Sequence, residues 1–175
     1  MLTLSYFEKG TIPHALLYRL AVGARVRSAL LKEAWTAGKT GSILALNGPS
    51  RFMCAQYFKE ADPEFLMDEN EHSKLKSLGK IVRIYRGARL THGCHRKAAY
   101  ALSWSLDYAT ARRFGVHGHG NAQGVVLAAD LPKDAVLALW ETSGREEEVV
   151  VDPRRLRNIH INEMIDPAEE MAAWA

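Results

Sequence analysis

Apolar runs long enough to cross a bilayer are missing from this chain, and with them the simplest reading of a membrane-embedded protein. The opening MLTLSYFEKG also lacks the basic-then-apolar layout of a secretory leader, so a cytoplasmic protein is expected. Cysteine is scarce. Cys54 and Cys94 are the two in 175 residues, too few for a disulfide framework and in keeping with a reducing compartment, although the count alone leaves one bridge open. Neither sign of charge dominates, and a net charge of +3 permits a nucleic-acid partner without arguing for one. His92, Cys94, His95, His117 and His119 match no zinc-ligand spacing, so loop histidines and no metal are expected. What remains is 47% apolar and 25% charged, enough for one complete core and short for two. A single domain over residues 1–175 is expected.

The chain reads as a helical first part, 1–80, a strand-rich core, 81–162, and a tail, 163–175. Pro13 suits a first helical turn. Leu17, Ala21, Ala24, Ser28, Leu31 and Trp35 then recur at helical spacing along one stripe, with Gly38 and Gly41 at its stop. Ser50 can cap a second helix through RFMCAQYFKE, which the Asp62-Pro63 step ends. MDENEHSKLKSLG, acidic first and basic last as a helix dipole prefers, reads as a third. From Ile81 the period changes to that of strands. IVRIYRG, AYALSWS, GVVLAADL, AVLALWE, EEVVVDP and RNIHIN are six short runs rich in branched and aromatic residues, bounded by turn-forming stretches. A short helix capped by Asp107 is expected at LDYATARRF, a glycine-rich loop at GVHGHGNAQG, and a last helix at DPAEEMAAWA, whose Trp174 folds back on the body. The expected class is α+β.

One stretch, SGREEEVVVDP, sets three glutamates against three valines. Alternate side chains of a strand share a face, so Glu146 and Glu148 point one way and Glu147 the other. Paired carboxylates at the lip of a buried strand cost stability unless a site uses them, and a solvated charge run is the plainer reading of the same letters. Two other strands carry polar groups in apolar runs. Arg86 ends IYRG, where a planar guanidinium calls for a phosphate or carboxylate held bidentately. Gly87 beside it leaves room for a ligand to approach the backbone. In LSWS the hydroxyl of Ser103 faces away from the Trp104 indole, and Ser105 repeats the pattern. Such a hydroxyl can bridge a ligand sugar and a carboxylate.

Taken in order, Arg86, Ser103 with Ser105, and Glu146 with Glu148 resemble the mono-ADP-ribosyltransferases of the R-S-E class. This NAD-using family includes cholera-like and clostridial binary toxins and several bacteriophage enzymes. In it an Arg ends the first core strand, a Ser-Thr-Ser-like motif lies on a following strand, and Glu-x-Glu or Gln-x-Glu leads into an apolar strand. The match covers residues 81–153. It departs from the family at Trp104, which stands in place of Thr, and in the short gap from Arg86 to Ser103, where any helix is expected to be reduced or absent. The resemblance implies two small packed β-sheets forming an NAD cleft.

The implied activity is transfer of ADP-ribose from NAD+, a co-substrate, to a macromolecular acceptor with release of nicotinamide and without metal. The leaving nicotinamide is neutral, so the barrier lies in an oxocarbenium-like ribose that a fixed carboxylate stabilises. By resemblance Glu148 is that carboxylate, Ser103 orients it and the sugar, and Arg86 holds the phosphates. Gly87, Ser105 and Phe114 line the cofactor, with Phe114 either stacking on nicotinamide or anchoring its own helix. Glu146 meets the nucleophile, and Glu at that place goes in the family with transfer to arginine, whereas Gln is frequent where asparagine or a base is modified. A protein arginine is therefore the expected acceptor, with an RNA or DNA base as the alternative. Trp140, in WETSGRE, is read as an acceptor contact or else as a strand end in the core. Water as acceptor would give an NAD glycohydrolase, and a catalytically inactive module binding NAD or a partner is the reading of a different class. A toxin, phage or bacterial effector setting follows from the resemblance, with an inhibitor or antitoxin as a possible partner. Arg154, Arg155 and Arg157 read as a solvated strand edge ahead of a contact for nucleic acid or adenine.

Overall fold

A stripe of apolar side chains and one proline organise the helical part. The computed structural model describes residues 23–37, 51–90, 95–117, 123–142 and 146–166. It divides into two compact units, Met1–Asn70 and Glu71–Ala175. In the first unit, α1 (Ala24–Ala37) buries Ser28, Leu31 and Trp35, the second half of the expected stripe. Ser28 is the polar member, and its hydroxyl is used twice: it donates to the Ala24 carbonyl at 2.9 Å and accepts the Asp62 N–H at 2.9 Å. α2 (Arg51–Glu60) buries Cys54, Ala55, Tyr57 and Phe58, and Phe58 meets Trp35 edge to face at 5.2 Å between ring centroids. Cys54 is a free thiol whose pKa burial pushes up to about 11. α3 (Pro63–Leu66) opens on its proline, and its N-cap Asp62 accepts the Glu64 N–H at 3.1 Å. The expectations placed on Pro13, Gly38, Gly41, Ser50, Cys94, the loop at 118–122 and Trp174 lie outside the described residues.

The boundary between the units falls inside α4 (Glu69–Ser77). In the second unit β1 (Ile81–Leu90), β2 (Ser103–Ser105), β3 (Gln123–Pro132), β4 (Val136–Thr142), β5 (Glu146–Val151) and β6 (Arg157–Met164) form one antiparallel sheet. Its order is β4-β5-β2-β1-β3-β6, so the class is α+β with a single sheet in place of the two expected. The sheet has a narrow waist. β1 and β3 stay in register along the whole of Ile81–Leu90, but β1 and β2 meet at one rung, Tyr85 opposite Ser105. The waist is narrow because β2 is short. Of the expected strand AYALSWS only the last three residues are extended, and its first, Ala99, closes the helix α5 (His95–Ala99), as alanine's helix propensity favours.

Residues Val125 to Ala129 of β3 are fully buried, as expected of a strand covered on both faces. One cover is α6 (Tyr108–His117), capped as expected by Asp107, whose carboxylate accepts the Thr110 N–H at 2.6 Å. Hydrogen bonds from the Thr110 side chain and backbone hold the Asp107 carboxyl below its ordinary pKa. Ala111, Val116, Val126 and Ile165 form the core beneath the helix, with Tyr85 and Tyr108 packed against it. Tyr108 donates to Glu163 of β6, and Arg112 Nε donates to the same carboxylate at 3.0 Å, tying the helix to the sheet edge.

Candidate functional site

The hydrogen-bond pattern of β2 determines where the motif side chains stand. Val151 N–H donates to the Leu102 carbonyl at 2.9 Å and Leu106 N–H to the Glu147 carbonyl at 3.2 Å, so alternate residues of this segment turn their backbone groups toward β5. Ser103 and Ser105 turn theirs the other way, toward β1. Ser105 opposite Glu148 and Ser103 opposite Val150 are thus non-hydrogen-bonded pairs, in which Cα atoms lie about 4.5 Å apart and side chains are close. One rung runs Trp140, Glu148, Ser105, Tyr85, Ala128 across five strands. Register therefore gives the place beside Glu148 to Ser105, where the sequence reading had put Ser103.

Ser105 is buried, and its hydroxyl oxygen accepts the Asp107 N–H at 3.0 Å. An accepting hydroxyl keeps its own proton to donate, and the Glu148 carboxylate is the side chain across the ladder from it. Glu148 is half-buried. Glu146 opens β5 opposite Thr142, and its side chain lies outside the described residues.

Arg86 occupies the gap at the waist. Beyond the Tyr85–Ser105 rung β1 offers β2 no further ladder partner, and the Ser103 carbonyl is met by Arg86 Nη1 at 2.5 Å. A guanidinium here takes the place of a backbone N–H, so the first two members of the trio touch directly. Alternation starts the Arg86 side chain on the opposite face from Tyr85 and Glu148, and the missing rung lets it reach the sheet plane.

Glu147 points away from this face and meets α4. Lys74 Nζ bridges Glu147 and, at 3.0 Å, Glu141, two glutamates that stand directly opposite each other on β5 and β4. Burial works against the charge on Lys74, but its hydrogen bonds to Glu147 and Glu141 and their charges outweigh burial and raise its pKa. The buried Glu71, also on α4, accepts the Glu141 N–H at 3.2 Å. Neither Lys74 nor Glu71 was singled out from sequence; the i, i+3 spacing that puts both on one helix face was the signal for them.

Other expected site residues are placed differently. Trp140 is 1% exposed and packs in the core beside Glu148, so it is not a surface contact for an acceptor. Its strand is an unbroken apolar run from Val136 to Trp140, with Leu139 and Trp140 both buried, so the indole is covered with them. A Cβ at Gly87 would lie 1.9 Å from the Ala111 carbonyl oxygen and 2.3 Å from Gly115 N, so the room expected there for a ligand is filled by α6. Phe114 is 52% exposed on α6, with Arg113 5.8 Å from its ring centroid, and does not anchor that helix. Arg154 grips the buried Asp152 through Nε and Nη2, each at 2.9 Å, and Arg155 pairs with Asp134, so two of the three clustered arginines are neutralised. A groove of about 430 Å³ lies elsewhere, lined by His95, Arg96, Tyr100 and Asn158 among others, and holds none of the trio.

No family model, curated protein or solved structure matches this chain. Among the described residues no cluster of three or more His, Cys, Asp or Glu could hold a metal ion, and no helix is long and apolar enough to cross a membrane. The arrangement that remains is a half-buried carboxylate, two serines and an arginine on three consecutive strands. Chemically, it can hold an anion near Arg86 and stabilise a cation near Glu148.

Proposed function

We propose that the protein is a mono-ADP-ribosyltransferase of the R-S-E type, which transfers ADP-ribose from NAD+ to a macromolecular acceptor, a protein arginine first. The observation that carries the reading is adjacency: the strands bearing Arg86, Ser103 with Ser105, and Glu148 are immediate neighbours, β1-β2-β5, although 42 residues lie between Ser105 and Glu148 in the sequence.

In this reading Arg86 holds the NAD+ phosphates from the waist. Glu148 stands beside the ribose, and Ser105 donates to that carboxylate and fixes its direction. The bond between C1′ and the nicotinamide nitrogen breaks with both electrons going to nicotinamide, which leaves neutral. The positive charge left on the ribose is stabilised by Glu148. An acceptor nitrogen then bonds to C1′ and loses its proton, with Glu146 the residue placed by resemblance to take it.

The test is to incubate the purified protein with labelled NAD+ and a bacterial lysate, then divide the sample between protease and nuclease. Label released by protease is the expected result. Label released only by nuclease would move the acceptor to a nucleic-acid base, and nicotinamide release without bound label would make water the acceptor. No label and no nicotinamide would leave an inactive binding module as the better reading.

A further inference from the structure

Glu148 lies on one face of β5, and Glu147 before it works on the other. Glu141 and Glu147 are directly opposite across the β4–β5 ladder, an arrangement that like charge makes unfavourable. Lys74 lies against both, and Glu71 takes the Glu141 N–H three residues away on the same helix. β5 is held unevenly along its length. From Glu148 onward it has β2 on one side and β4 on the other, but at Glu146 the ladder has β4 alone. The contacts from α4 fall next to the singly held Glu146, at Glu141 and at Glu147, whose carbonyl is the last on β5 to be met from the β2 side, by the Leu106 N–H at 3.2 Å.

We infer that α4 is a positioning element for the mouth of the β4–β5 hairpin, with Lys74 its principal residue, and that it governs transfer to the acceptor more than cleavage of NAD+. The reasoning rests on the proposed roles of Glu148 and Glu146. Glu148 is fixed by two neighbouring strands whether or not Lys74 is present. Glu146, one residue from Glu147, depends on the clamp. Losing Lys74 would therefore let the hairpin mouth drift while the carboxylate beside the ribose stayed in place. Lys74→Arg, which keeps the charge and the reach, restores the clamp.

The test uses the full chain and two readouts. Hydrogen exchange of Lys74→Met should show faster exchange over 141–147 with protection of 148–151 unchanged, and Lys74→Arg should look like the parent. In the labelled-NAD+ lysate assay, label transferred per nicotinamide released should fall roughly two- to fivefold in Lys74→Met, the size expected of a partly exposed ion pair, and recover in Lys74→Arg. Unchanged exchange over 141–147, or equal falls in transfer and nicotinamide release, would overturn the inference. If the parent protein consumes no NAD+, the enzymatic reading fails by itself, and hydrogen exchange still decides whether Lys74 holds the hairpin.

Discussion

At Gly87 the chain gives up a side chain so that a helix can rest on a strand. The nearest atoms to an added Cβ are backbone, which no rotamer change can move. Gly87→Ala should therefore push α6 off β1 and cost about 1–3 kcal/mol, measured by urea denaturation; a change below about 0.5 kcal/mol would show that α6 shifts freely. A glycine after an arginine at a strand end invites a ligand in sequence, and only the topology reveals that a helix has taken the place. Ser103 and Ser105 pose a related problem. Alternation puts both on one face, which sequence shows, but the rung that joins one of them to Glu148 depends on the register of β2 against β5. At Trp140 the polar stretch that follows suggests exposure, and the unbroken apolar run before it, Val136 to Leu139, goes with burial.

Among the elements, β2 has the largest effect for its size. Three residues long, it joins two halves of the sheet and leaves the gap that Arg86 fills. Its brevity is hidden in AYALSWS, where Ala99 fits a strand pattern yet ends a helix. The longer strands were legible because branched residues alternate or run together for their full length. α6 was legible too, through its cap. Asp107→Ala should cost about 0.5–2 kcal/mol near neutral pH. Because hydrogen bonds from Thr110 lower the folded pKa of Asp107, its contribution is full above the ordinary aspartate pKa and lost as pH falls through the depressed one. The difference in denaturation free energy between Asp107→Ala and the parent should accordingly hold at about pH 6 and shrink toward about pH 2. A difference that persisted in acid would assign the cap to packing rather than charge.

Across the whole chain, the change from helical to strand period near Ile81 marked where the sheet begins, but the compact units divide earlier, inside α4. A composition change cannot show this, since α4 reads as one more helix before the strands while its Lys74 and Glu71 are committed to the hairpin that follows. The motif residues were legible from their types and order, because an arginine, spaced serines and paired glutamates interrupt apolar strands. Their assembly was not, because strand order is a long-range property: β5 comes after β3 and β4 in sequence and returns beside β2. We propose that this return builds a site that breaks the nicotinamide bond of NAD+ beside Glu148. Nicotinamide release by the purified protein and by Glu148→Gln, with melting temperature recorded for both, measures it most directly. The expected result is release by the parent and a rate about 10²–10³-fold lower in the variant, at an unchanged melting temperature. Release that survives Glu148→Gln, or a parent protein that neither releases nicotinamide nor transfers label, would contradict it.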